Sequence, residues 1–323
     1  MTVTVTTMSA LLRCIQRGRA RVRARGSVQG VNVYVTAGLQ RRSQTTLIED
    51  KDGKQRVMFY FDSDPDGVKT KAMGKPPLLL LPGTCQTVST WQPHISQLSN
   101  ERRLIIPEMR CCGETTELLP EIDSLFDFTT DLDRFLQKIK VPVVDVVGFS
   151  LGGRVALSLA AHRPDQVRRL SVTGVPLERP VLGDLVLQSW RSGLSSEEAF
   201  RGTAWAFVLN GFSEGYLKQN SRNIAHYVDK VFANNDFRKV KVLLSQSHSP
   251  RDKAAAINCA HLITCETQII AATADRISDL QQEERLASVI PNSTLYEIAG
   301  AGHLSPFEQP SLWRRLVLNF LDK

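Results

Sequence analysis

The sequence predicts an α/β protein: a mostly parallel sheet of eight strands flanked by helices, with a helical cap inserted near its middle. Three observations carry that expectation. Short aliphatic runs at residues 78–81, 103–107 and 268–272 alternate with longer stretches of helical apolar spacing, and such alternation implies parallel strands. The run at residues 143–147 stops abruptly at Gly148-Phe149-Ser150-Leu151-Gly152, a turn set directly between a strand and a small-residue helix. Between Val175 and about Leu262 the alternation ceases and the chain reads as amphipathic helix, rich in aromatics from Phe200 to Phe212. The length of 323 residues and an apolar share of 42% fit one main domain with an insertion. No apolar run approaches the roughly 18 residues of a membrane span.

The chain divides into a basic segment at residues 1–42, a core at 43–175 and 263–323, and a cap at 176–262. Residues 1–48 hold eight arginines, no lysine and no acid, which leaves 32 basic against 33 acidic residues in the remainder. The net charge of +7 therefore belongs to the N-terminal segment, and the rest shows no basic excess of the kind a nucleic-acid surface needs. An arginine-rich, acid-free segment with no long apolar stretch fits a mitochondrial transit peptide better than a secretory signal. Against this, Arg17, Arg19, Arg21, Arg23 and Arg25 alternate and would not share one helical face, so a disordered basic tail on a cytoplasmic protein is the alternative. Met8 offers a second start, and the terminal Leu-Asp-Lys is not a peroxisomal signal. Cys14, Cys85, Cys111, Cys112, Cys259 and Cys265 show neither C-x-x-C nor metal-ligand spacing and read as reduced thiols.

Residues 45–61 read as a hairpin turning at Asp52-Gly53, and residues 31–35 as one further strand. Residues 62–77 are polar and turn-rich. The strand at 78–81 ends at Pro82-Gly83-Thr84, with helix near Trp91 and His94. After the strand at 103–107, a helix over 126–139 is marked by Phe126, Phe128, Leu132, Phe135, Leu136 and Ile139. Beyond the elbow come strands at 169–174, 268–272 and 294–298, helices at 280–290 and from Pro310, and the loop Ala299-Gly300-Ala301-Gly302-His303.

In a sheet of this kind the functional loops gather at the C-terminal ends of the strands, where Ser150, Asp275 and His303 each follow a strand. The elbow lifts Ser150 clear of the backbone, and Gly148 and Gly152 leave room for strand and helix to approach. A serine hydroxyl needs a base to become nucleophilic, a histidine serves at neutral pH, and a carboxylate fixes its tautomer. Asp279 and Glu178 compete with Asp275 for the acid but sit less well at a strand end. His94, His162, His226, His248 and His261 fall on helices or in the cap. Backbone N–H groups of Leu151 and Thr84, with Cys85 as the alternative, are expected to form the oxyanion hole.

These motifs resemble the α/β-hydrolase superfamily over residues 45–321, in the branch with epoxide hydrolases, carboxylesterases, haloperoxidase-type esterases and C–C hydrolases. Gly-Phe-Ser-Leu-Gly-Gly at 148–153, Asp275 and Gly-His-Leu-Ser-Pro-Phe-Glu-Gln-Pro at 302–310 match its pattern. Pro82 stands where histidine is usual in the oxyanion turn, and Glu108, Cys111 and Thr115 depart from its D-x-R-G-x-G-x-S segment. The resemblance implies an α/β-hydrolase fold and a serine hydrolase that cleaves a small, largely apolar carboxylic ester or thioester through an acyl-enzyme, without cofactor or metal. A C–C bond hydrolase, a cofactor-free haloperoxidase-like esterase and a non-catalytic protein that keeps the fold are the alternatives. Serine at the nucleophile position argues against the epoxide hydrolase and dehalogenase branches. Cys85, Phe149, Trp190, Trp205, Phe207 and Phe212 are the candidate substrate contacts. The expected partner is a small acyl substrate, with no nucleic acid and no stable membrane insertion, and the oligomeric state is left open.

Overall fold

The protein is described from a computed structural model that covers residues 43–49, 53, 55–115, 124–246 and 255–323. The basic segment at 1–42, and with it the targeting and 31–35 strand expectations, lies outside the described residues. Eight strands form one sheet: β1 (Ser43–Glu49), β2 (Gln55–Asp62), β3 (Leu78–Leu81), β4 (Leu104–Pro107), β5 (Val144–Phe149), β6 (Val167–Thr173), β7 (Glu266–Ala272) and β8 (Ser293–Ile298). Their order is β1-β2-β4-β3-β5-β6-β7-β8. The pairs β1/β2 and β2/β4 are antiparallel and every other pair is parallel.

That order places the functional edge. From β3 the chain crosses to β4 on one side, and from β5 it leaves for β6 on the other. The loops after these two adjacent strands therefore diverge, leaving a crevice beyond their C-terminal ends. Thr84 follows β3 and Ser150 follows β5, so both open into it.

Both faces of the sheet are covered, which is why β3 is an unbroken leucine run rather than an alternating one. Leu79 and Leu81 pack with Val144 and Val146 toward α3 (Leu125–Lys138) and α4 (Leu151–His162), while Leu78 and Leu80 pack with Trp91 and Trp313 on the other face. All four leucines are fully buried, each worth about 1.5–3 kcal/mol. Asp145 sits inside the elbow strand because Arg102 and Arg168 neutralise it at 2.8 and 2.6 Å.

Residues 62–77 hold a short helix that composition conceals. Gly67 and Gly74, both in the left-handed region, bracket α1 (Val68–Met73). The helix α2 (Gln92–Leu98) follows β3 through a 3₁₀ turn at Val88–Trp91. From Val181 to Leu262 the described residues form helices joined by short connections, with no strand among them. The helices are α5 (Val181–Ser192), α6 (Glu197–Gly211), α7 (Glu214–Asn220), α8 (Ile224–Ala233), α9 (Phe237–Gln246) and α10 (Ala255–Cys259), with two 3₁₀ turns. The helix α11 (Leu280–Val289) joins β7 to β8, and α12 (Ser305–Glu308) and α13 (Pro310–Leu321) complete the fold. No helix among the described residues is long and apolar enough to cross a membrane.

Candidate active site

The elbow is held by close backbone approach. Ser150 has φ 52° and ψ −118°, a conformation that costs a non-glycine residue about 1–3 kcal/mol. A Cβ at Gly152 would lie 2.1 Å from the Leu81 carbonyl oxygen, and one at Gly148 2.6 Å from Gly153 Cα. Only glycine at both positions lets α4 start where β5 ends. The Ser150 N–H donates to the Thr173 carbonyl at 2.9 Å, locking the turn to β6.

Three loops bring their side chains into one line. His303 Nε2 lies 2.8 Å from Ser150 Oγ, and His303 Nδ1 lies 2.7 Å from Asp275 Oδ2. The other carboxylate oxygen of Asp275 accepts N–H bonds from Ile277 at 2.7 Å and Ser278 at 2.9 Å, so its orientation is fixed from both sides. Ser150 is half-buried whereas His303 and Asp275 are buried. The competing acids lie elsewhere. Asp279 caps α11 through the Gln282 N–H, and Glu178 pairs with Arg285 at the surface. Among the other histidines, His94 is wedged against Trp91, Phe307 and Trp313, where burial lowers its pKa to about 4.

Leu151 and Thr84, the two expected oxyanion donors, line the same cavity, and their N–H groups meet no acceptor among the described residues. Leu151 is the first residue of α4, where helical N–H groups have no internal partner. In place of the histidine that Pro82 replaces, Gln86 steadies the loop. Its Oε1 accepts from Gly83 N–H at 2.8 Å and Trp91 Nε1–H at 3.1 Å. Glu108 supports the next turn by accepting from Val88 N–H at 3.0 Å, and burial pushes its pKa up to about 7.

The cavity beside Ser150 measures about 90 Å³. Of the expected contacts, Phe149, Trp190 and Phe207 line it, the last two stacked with centroids 3.9 Å apart. Three others are placed differently. Trp205 points outward from α6 at 37% exposure, Phe212 stacks on Tyr216, and Cys85 is buried in a cluster with Val186, Leu187 and Trp190, its carbonyl bonded to Asn235 Nδ2. Aromatic type does not reveal which face of a helix meets the cavity.

Four functional candidates escaped the sequence reading. Besides Gln86, they are Arg154 and Arg179 in the cavity wall and Glu283 behind Asp275. Glu283 is fully buried and accepts from Val175 N–H at 2.9 Å and Ser278 Oγ–H at 3.0 Å. Burial, and secondarily the Asp275 charge, push its pKa well above the usual carboxylate value. The available signal was an acid on the buried stripe of α11, three residues before Leu286. Among the described residues no cluster of His, Cys, Asp and Glu could hold a metal ion.

A strained serine turn on a doubly covered, mostly parallel sheet defines the class. The sequence model of the alpha/beta hydrolase fold family matches residues 76–310, and the chain belongs to that family. It is 24% identical over 253 residues to the pyrrolizixenacetamide deacetylase of Xenorhabdus hominickii, covering 76% of this chain and 91% of that one. It is 26% identical over 240 residues to the 2-hydroxymuconate semialdehyde hydrolase of Pseudomonas putida, covering 69% and 78%. Among solved structures, the enol-lactonase of Burkholderia xenovorans LB400 superposes with a TM-score of 0.73 at 19% identity over 86% of this chain and 100% of that one, a likeness of fold.

Proposed function

We propose that this protein is a serine hydrolase acting on a small carboxylic ester or thioester. The observation that carries the reading is the continuous line from Ser150 Oγ through His303 to Asp275, at 2.8 and 2.7 Å. In this reading Ser150 Oγ attacks the acyl carbonyl as His303 Nε2 takes its proton, and the Leu151 and Thr84 N–H groups stabilise the oxyanion. His303 then returns the proton to the departing alcohol or thiol, leaving the acyl group on Ser150. A water, deprotonated by His303, releases the acid and regenerates the serine. Asp275 holds the Nδ1–H tautomer and offsets the charge that forms on the ring.

A fluorophosphonate probe, which reacts with activated serines, tests this on the full chain beside Ser150→Ala and His303→Ala. Labelling of the wild type and its loss in both folded variants is the expected result. A folded wild type that stays unlabelled by this probe and by a smaller one would sink the mechanism. Cleavage of a C–C bond next to a carbonyl, for which the 2-hydroxymuconate semialdehyde hydrolase relative speaks, is the second reading. It would show as loss of dienoate absorbance exceeding the turnover of simple esters.

A further inference from the structure

The residues on either side of His303 are both held by the junction between α6 and α7. Leu304 N–H donates to the Gly211 carbonyl at 2.8 Å. Gly302 N–H donates to Glu308 Oε1 at 3.0 Å, and the same oxygen accepts from Ser213 N–H at 2.6 Å. Ser213 Oγ–H donates to Glu308 Oε2 at 2.7 Å, so one carboxylate gathers three donors from two separate segments of the chain. The backbones are in close contact here. A Cβ at Gly302 would lie 2.6 Å from Ser213 N and 2.9 Å from the Gly211 carbonyl oxygen. Leu304 and Phe307 extend the contact by packing against an apolar cluster that includes Ala204, Val208, Phe212 and Val228.

A carboxylate only accepts hydrogen bonds, has room for several donors, and holds them more strongly than a neutral oxygen does. Glu308 ends α12 and reaches back past His303 to the residue before it. Asp275 orients the imidazole, but the backbone that carries the ring is placed by Gly302 and Leu304. A general base must lie within hydrogen-bond reach of the hydroxyl it deprotonates, and a displacement of about 1 Å can cost about 100-fold in rate. We propose that Glu308 is a positioning residue for His303. It clamps Gly302 to Ser213 and makes the Gly211–Ser213 junction the support on which the general base is set. This rests on the hydrolase reading of Ser150 and His303 and adds to it the group that holds the base in place. Glu308 acts through the backbone beside His303 and not on the reacting atoms. In consequence the cap cannot lift at this junction without releasing both neighbours of His303.

The test follows fluorophosphonate labelling of the full chain over a range of probe concentrations, which separates kinact, the rate at saturation, from KI, the strength of probe binding. Both are read from the time course of the molecules that label, so partial loss of folded protein does not alter them. In Glu308→Ala, kinact is expected to fall about 10-fold or more while KI stays within about 2-fold of the wild type. Glu308→Gln keeps an acceptor oxygen for the two N–H groups and an amide opposite Ser213 Oγ, and both constants should stay within about 3-fold of the wild type. If the alanine variant does not fold, Glu308→Met, which keeps the volume but has no oxygen, is read in its place. A kinact in the alanine or methionine variant equal to that of the wild type overturns the proposal. So does a raised KI at constant kinact, which would give Glu308 a part in shaping the cavity and none in setting the base. A glutamine variant as slow as the alanine one also overturns it, because hydrogen bonding would then not be what matters. Under any of these results a wild type that labels normally leaves the hydrolase reading standing. A folded wild type that labels with neither this probe nor a smaller one removes both.

Discussion

The elbow and the cap face the same cavity, but they are fitted together differently. At the elbow, backbone packs on backbone: Gly152 sits against the carbonyls of Leu81 and Pro82, and no side chain there can yield. In the cap the contacts are mixed: a Cβ at Gly183 would lie 2.3 Å from the Ile277 carbonyl oxygen, whereas Trp190 stacks on Phe207 through side chains, and Gly202 inside α6 has nothing within 4 Å of the place a Cβ would occupy. The two meet at the His303 loop. There Glu308 Oε1 accepts from Ser213 N–H at 2.6 Å and Gly302 N–H at 3.0 Å, and Leu304 N–H donates to the Gly211 carbonyl at 2.8 Å. Rigid backbone contacts thus set the position of Ser150, while Trp190 and Phe207 meet the cavity beside it through side chains.

Substitutions on either side put this contrast to the test. The largest effect is expected from Gly152→Ala, whose methyl would lie 2.1 and 2.4 Å from two carbonyl oxygens. A loss of about 3 kcal/mol or more, read from urea unfolding, together with loss of probe labelling, is the expected outcome. A near-neutral result would show that the elbow can relax after all.

An intermediate effect is expected at Glu283. Glu283→Ala leaves Val175 N–H and Ser278 Oγ–H without their acceptor and should cost about 1–3 kcal/mol. Turnover should fall by roughly 10-fold as Asp275 loosens. Glu283→Gln keeps an acceptor oxygen and should stay within a few-fold of wild type. The sign for pH follows from a raised folded pKa. The stability from a protonated Glu283 is fully present below the unfolded value of about 4.5 and is lost as pH climbs toward the higher folded value. Unfolding midpoints of the glutamine variant should therefore gain on wild type as pH rises above about 5. Parallel pH profiles of the two proteins would contradict a buried, neutral Glu283.

The smallest effect, and of opposite sign, is expected from Gly202→Ala. With open space around it and a helical backbone, alanine should stabilise the cap by about 0.5–1 kcal/mol. Thermal unfolding checks this. If this variant is instead destabilised, the cap is specified as tightly as the elbow and the contrast between them collapses.

Features that depend on neighbours along the chain were legible before any folding was known. The alternating aliphatic and helical runs pointed to the sheet. The Gly-x-Ser-x-Gly turn pointed to a strained serine because its glycines and its serine lie within five residues. The loop positions of Asp275 and His303 followed from the rule that such loops share one sheet edge. Local pattern also concealed α1, since a six-residue helix between two glycines resembles a polar turn. Which side chains complete the cavity was settled only by packing. Arg154 and Glu283 are ionisable side chains on amphipathic helices, and although Glu283 falls on the buried stripe of α11, its partners Val175 and Ser278 are brought to it only by packing. Gln86 acquires its role from Gly83 and from Trp91, which only a folded turn brings to one oxygen. Trp190 meets the cavity and Trp205 meets solvent because the packing of α5 and α6 chooses the facing side. A backbone constraint acts over a few residues and leaves its mark in the sequence. A side-chain environment is the sum of contacts from distant segments, and it exists only once those segments have packed.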